Sequence, residues 1–130
     1  MSNRSADWFR QAEADLRHAQ NSLNAGDYEW SCFAAHQSAE KGLKAVFLKL
    51  GKEAWGHALI ILVGNLFLES GQAPSELANA ARVLDKYYIL TRYPNGFDAG
   101  APTDYFTEDE SRQAVSLAEV ILEFCRDQIG

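Results

Sequence analysis

The chain has 130 residues, 47% hydrophobic and 23% charged, the proportions of one globular domain that folds without disulfides or metal. Its net charge of −6 argues against a strongly electrostatic grip on duplex DNA or on an anionic membrane, though a local basic patch remains compatible with it. Cys32 and Cys125, the two cysteines, lack the close spacing of a redox or metal pair and read as buried, reduced thiols of a cytoplasmic protein.

The opening residues, MSNRSADWFRQAE, have no apolar core of signal-peptide length. Ser5 is placed to cap a first helix over about 6–24, whose apolar stripe is Trp8, Phe9, Ala12, Leu16, Ala19 and Leu23. Gly26-Asp27 makes a tight turn, so the next helix should run back antiparallel beside the first.

That second helix, over 28–50, is the one the chain is organised around. It contains no proline, Asp27 stands at its N-cap, and Gly51 closes it in the manner of a left-handed cap. Ala35, Ser38, Gly42 and Ala45 fall on one stripe. A glycine inside a helix costs roughly 1 kcal/mol relative to alanine, so Gly42 calls for a packing reason, the close approach of a neighbouring helix. Phe33, Val46, Phe47 and Leu50 supply bulk around this seam. Gln37, Glu40, Lys41 and Lys44 share the other side, with Glu40 and Lys44 at ion-pairing spacing. The pattern is that of a central helix touched on more than one side.

A third helix, about 57–70, is apolar nearly all round, so it is covered by its own fold or by another subunit. The run 58–68 is broken by Gly64 and Asn65 and falls short of the roughly 20 residues a membrane span needs. Pro74-Ser75 opens a fourth helix with Leu77, Ala81, Leu84, Tyr88 and Thr91 inward. It should stop at about Arg92, because Pro94 disfavours helix at Tyr93. A turn-rich connection over 94–106 follows, and loops of that length in small domains often carry function. Thr107 and Glu110 form a capping box that starts the last helix, running to about Gln128 with Ala114, Leu117, Ala118, Ile121, Cys125 and Ile129 inward. With no period-two alternation and no repeats, the reading is all-α: a single domain over 1–130, an up-and-down helical bundle of four to five helices.

No Glu-x-x-His pair and no zinc-ligand spacing occur among His18, His36, His57 and the cysteines, so neither metal nor cofactor is expected. There is no glycine-rich phosphate loop and no Gly-x-Ser-x-Gly elbow. The carboxylates of Glu13, Asp15, Asp109 and Glu110 read as solvated helix faces and a helix N-terminus. The best candidate for chemistry is the end of the fourth helix with its loop, where Lys86, Tyr87, Tyr88, Arg92, Tyr93 and Asn95 concentrate. Cations beside stacking rings suit single-stranded RNA or a nucleotide phosphate. The same residues also fit a plainer arrangement, tyrosines packed at the core margin and Arg92 bonding the last carbonyls of its helix. His57 is either a further ligand or a helix-start residue bonding locally, and His36 reads as a packed polar residue.

Three stretches, ADWFRQAEADLRHAQNSLNAGDYEWSCFAAHQSAEKGLKAVFLKLG, WGHALIILV and AARVLDKYYILTRYPNGFD, carry a resemblance to the HEPN (higher eukaryotes and prokaryotes nucleotide-binding) domain family over about 5–128. The markers are the Gly-Asp-Tyr turn, the Gln-x-x-Glu-Lys-x-x-Lys-Ala segment from Gln37 to Ala45, and the Leu-Asp-x-Tyr-Tyr…Thr-Arg-Tyr-Pro stretch. The resemblance implies an up-and-down helical bundle and a prokaryotic toxin–antitoxin pairing with a minimal nucleotidyltransferase. For active members it implies metal-independent RNA cleavage by a homodimer. The family's motif is an arginine followed, after four to six residues, by a histidine, a pair suited to moving a proton and to stabilising phosphorane charge. Arg92 matches the arginine, but Phe97 stands where the histidine is expected, no histidine follows His57, and Ala99 stands where some toxins carry a modifiable tyrosine.

The expectation is therefore a homodimeric protein that binds a nucleotide or RNA phosphate through Arg92, with Lys86, Tyr88, Tyr93, Asn95 and His57 around it, and that lacks efficient catalysis. Two alternatives stand beside it. One is an endoribonuclease that uses Arg92 with a non-standard acid–base group such as His57 or a tyrosine. The other is a dimeric interaction module without a ligand.

Overall fold

The computed structural model describes residues 3–130. Their elements in chain order are α1 (Ser5–Ala25), α2 (Tyr28–Lys49), α3 (Leu59–Leu66), α4 (Ser75–Asp85), α5 (Tyr87–Leu90), a 3-10 turn (Pro94–Gly96), α6 (Pro102–Tyr105) and α7 (Glu108–Ile129). Among the described residues there is no strand. The all-α bundle read from the sequence is the observed architecture. α1, α2 and α7 are its long members, and α2 touches α1, α7, α3, α4, α5 and α6.

α1 and α2 are joined rung by rung. Ser31 Oγ donates to Ala19 O, Ser38 Oγ to Ala12 O, and Ser5 Oγ to Ala45 O, each at 2.7 Å. The rungs advance by seven residues along both helices in opposite directions, and all six residues are buried. A seven-residue step keeps one seam facing its partner. Small side chains at every rung let the backbones come close enough for a hydroxyl to reach the facing carbonyl. Ser5 is thus a rung inside the first turn and not the cap the sequence pattern made of it; Asn3 Oδ1 takes the Ser5 N–H at 2.8 Å.

On its other side α2 meets α7. A Cβ added at Gly42 would lie 2.5 Å from Leu122 Cδ2 and 3.3 Å from Cys125 Sγ, so the glycine marks a close approach of these two helices. Burial pushes the Cys32 thiol up to about 12, with Glu110 and Glu29 adding to the shift, and it pushes Cys125 up as well. The capping box is present: Thr107 Oγ1 accepts from Glu110 N at 3.1 Å, and Thr107 N donates to Glu110 Oε1 at 3.1 Å.

Two elements differ from expectation. The third helix is shorter than 57–70. It starts at Leu59 because the Asp85 carboxylate, from α4, accepts from Leu59 N at 2.7 Å and Ile60 N at 3.0 Å, a cap supplied across the fold. Its Leu59, Leu62 and Val63 are buried, while Ile61 is 57% exposed. The fourth helix is broken at Lys86, whose N–H reaches only as far as Val83 O. Thr91 Oγ1 then bonds Tyr87 O at 2.6 Å, and the connection 94–106 is itself folded into the 3-10 turn and α6. Among the described residues no helix is long and apolar enough to cross a membrane.

Candidate functional site

Two sets of residues spaced by three and four meet across the fold: Phe33, His36 and Glu40 on α2, and Asp85, Tyr88 and Arg92 from the end of α4 to just past α5. His57, from the loop before α3, completes the cluster. The three-then-four spacing puts the first set on one face of α2, and the right-handed helical backbone of Lys86 at the break keeps Asp85 and Tyr88 on a common side.

Glu40 is 5% exposed. A carboxylate buried to that degree needs compensation, and it has two partners. Lys44 Nζ donates to Oε2 at 3.1 Å, and His57 Nδ1 donates to Oε1 at 2.8 Å. With Nδ1 fixed on Glu40, the other ring nitrogen of His57 is left for solvent or a ligand, and the side chain is 52% exposed. The His57 ring stacks on Tyr88, centroids 4.7 Å apart and planes 18° apart.

The main chain of His57 is held as firmly as its side chain. His36, fully buried, donates from Nε2 to His57 O at 3.0 Å, with Asp85 Oδ1 at 3.4 Å. Its Nδ1 is buried without a partner among the described residues. Burial works against charge on Asp85, but the hydrogen bonds from His36 and from the Ile60 and Leu59 backbone outweigh it and hold the carboxyl below the usual carboxylate range. One aspartate thus caps α3 and steadies the histidine that pins the loop.

Arg92 faces this cluster. Its Nε and Nη2 donate to Tyr88 O at 2.9 and 2.7 Å. Its guanidinium lies 4.4 Å from the Phe33 centroid, 4.7 Å from that of Tyr88 and 5.1 Å from that of Tyr93. No carboxylate pairs with it among the described residues, and Nη1 makes no hydrogen bond there. The plainer expectation, Arg92 on the carbonyls ending its helix, describes part of its bonding; the three rings account for the rest. His57 and Arg92 both lie against Tyr88, so they are no farther apart than the sum of their distances to its ring.

The structure gathers Arg92, Tyr88, Tyr93 and His57. Lys86 lines a different cleft, with Tyr87, Leu90, Phe97 and Tyr105, and Asn95 is exposed in the 3-10 turn. Phe97 stacks on Tyr105. Glu40, Asp85 and Phe33 were not among the sequence candidates. The signal that could have found them is the pair of matching three-then-four spacings, read as two facing stripes. Among the described residues no group of three or more His, Cys, Asp or Glu gathers as metal ligands would.

A family model described as the HEPN domain matches residues 5–128. The structure is similar to that of TT1696 from Thermus thermophilus, with a TM-score of 0.93 and 47% identity over 98% of this chain and 99% of that one. It is also similar to ST0689, described as an archaeal HEPN homologue, with a TM-score of 0.84 and 35% identity over 100% of both chains. A HEPN domain protein of Thermotoga maritima gives a TM-score of 0.75 and 34% identity over 93% of this chain and 95% of that one. In sequence, the chain is 24% identical over 128 residues, 92% of this chain and 84% of the relative, to the protein named "Putative toxin MJ1304" of Methanocaldococcus jannaschii.

Proposed function

The chain belongs to the HEPN domain family, and from that footing we propose that it binds the phosphate of a nucleotide or of single-stranded RNA at Arg92. It does so as the HEPN component of a cytoplasmic toxin–antitoxin-type pair with a minimal nucleotidyltransferase. The observation that carries the reading is the state of Arg92: a half-buried guanidinium held by three aromatic rings and one carbonyl, with no carboxylate among the described residues to neutralise it. Such a group is oriented before the ligand arrives, and a planar guanidinium without a carboxylate partner favours a phosphate oxygen. Half-exposed Tyr93 offers a face to a base or sugar beside it. The toxin-like name of the sequence relative supports the pairing. Phe97, which cannot transfer a proton, argues for binding without efficient cleavage.

A second reading, RNA cleavage, is favoured by the Glu40–His57 hydrogen bond. A carboxylate that fixes one ring nitrogen and leaves the other exposed is the arrangement a general acid–base histidine needs. The test is incubation of the protein with mixed RNA in excess chelator, read on a gel, alongside binding by filter retention over a salt series. The expected result is salt-sensitive binding that falls on Arg92→Ala, without cleavage. Cleavage abolished by both Arg92→Ala and His57→Ala would establish the second reading in place of the first. Binding indifferent to Arg92→Ala would reject both.

A further inference from the structure

Phe33 has two neighbourhoods. The Arg92 guanidinium lies 4.4 Å from its ring centroid, and the same residue lines a cleft with Trp30, Ala34, Gln37, His18, Asp15 and Lys41. We propose that this cleft between α1 and α2 receives the base of a nucleoside phosphate whose phosphate sits at Arg92. The inference rests on the phosphate reading above and adds to it the place and chemistry of the other half of the ligand.

Three observations carry it. Trp30 is 50% exposed although it stands against Phe33, edge to face with centroids 6.2 Å apart. A large indole left open to water beside a second ring is a stacking wall, and base–aromatic stacking tolerates any base. The cleft measures about 230 Å³, below the roughly 300–1,000 Å³ that encloses a drug-sized ligand, so it suits one base and not a dinucleotide.

The polar lining selects further. Asp15 and Lys41 are already paired, and Gln11 occupies the other Asp15 oxygen at 2.9 Å. The Gln37 amide oxygen is shielded from solvent without a hydrogen bond among the described residues, and turning the amide about its soft terminal torsion would present that acceptor to the cleft its residue lines. A base edge with an amino group can satisfy that acceptor where an apolar ring cannot. The chemical class is a nucleoside monophosphate, free or as the 5′ end of an RNA strand, with an amino-bearing base such as adenine.

Calorimetry separates the two halves. The ligands are adenosine 5′-monophosphate, ribose 5-phosphate and a 5′-phosphorylated adenosine trinucleotide; the proteins are wild type, Trp30→Ala, Gln37→Leu and Arg92→Ala. The expected result is adenosine monophosphate bound about tenfold tighter than ribose 5-phosphate by wild type. Trp30→Ala should erase that ratio, and Gln37→Leu should reduce it, with ribose 5-phosphate unchanged in both. A trinucleotide bound at least as tightly as the monophosphate identifies a strand end as the ligand; exclusion of the trinucleotide identifies the free nucleotide. Equal affinity of wild type for the monophosphate and ribose 5-phosphate, or a ratio that survives Trp30→Ala, overturns the base cleft while leaving phosphate binding at Arg92 intact. Affinities for all three ligands that ignore Arg92→Ala overturn the phosphate reading instead, and the shared ligand with it.

Discussion

Phe97 and Tyr105 lie face to face, ring centroids 4.2 Å apart and planes 9° apart. Phe106 meets Phe97 edge-on at 6.5 Å, so the position where the resemblance calls for a histidine belongs to an aromatic cluster formed by the folded 94–106 connection. That cluster sets the height and tilt of whatever ring stands at 97. Phe97→His is therefore expected to give slow, chelator-resistant RNA cleavage where the unmodified protein gives none, and Arg92→Ala in that background is expected to remove it. A gel of labelled RNA decides. Equal cleavage before and after the substitution would show that position 97 is not where the proton is missing.

The approach of α2 to α7 at Gly42 makes a sharp stability prediction. Gly42→Leu is expected to cost at least about 1–3 kcal/mol through overpacking, read as a fall in the denaturant midpoint. Helix propensity alone would make Gly42→Ala nearly neutral or better, but a methyl 2.5 Å from buried Leu122 Cδ2 forces Leu122 to move. The double variant Gly42→Ala, Leu122→Ala should then cost less than the sum of its parts. Strict additivity would remove the clash from the explanation.

Asp85→Ala removes the cap of α3 and is expected to cost about 0.5–2 kcal/mol. Its pH dependence has a definite sign. The folded-state pKa of Asp85 lies below the ordinary value of 3.8, so its charge stabilises the fold above that value. The contribution is lost as pH falls from about 4 through the lower folded value. The stability gap between wild type and Asp85→Asn should accordingly be full at neutrality and shrink on acidification. A gap that widens toward acid would contradict the hydrogen-bonded carboxylate.

Ile61 on α3 is 57% exposed, Leu68 just beyond it 76% and Ile89 on α5 51%, apolar side chains that a second copy of the chain would cover. Light scattering at micromolar concentration is expected to give a dimeric mass, and Ile61→Lys or Ile89→Lys to lower it. A strictly monomeric wild type would mean these side chains serve some other contact.

What the sequence made legible was local. The small-residue stripe through Gly42 identified the central helix, and the Thr107–Glu110 box fixed the start of α7. What it hid was long-range. Asp85 sits at the end of one helix yet caps another, a relation that no spacing within either helix records. In sequence Glu40 belongs to a polar row with Lys44, because charged residues at helical spacing normally face water. It is buried and bonded to His57, a contact that depends on where a loop lands. The break at Lys86 carries no proline or glycine to announce it. Arg92 is legible because its type and its sequence neighbours are local, whereas the ring nearest to it, Phe33, is supplied by α2.

The serine rungs between α1 and α2 bear on the order in which the molecule is assembled. The innermost rung, Ser31 to Ala19, closes a loop of 12 residues across the Gly26–Asp27 turn and the others follow at separations of 26 and 40, so the hairpin can zip outward from a short loop. Slippage by one turn would strand three hydroxyls opposite the wrong carbonyls, which gives the pairing a single register. The expected order therefore sets Phe33 and Glu40 on the hairpin before His57 and Arg92 reach them, with the segment from α3 to α5 docking after it. Amide protons of that segment should exchange through openings that leave the hairpin intact. A ligand that bridges Phe33 and Arg92 would slow that exchange selectively, coupling occupancy of the site to the closing step of folding.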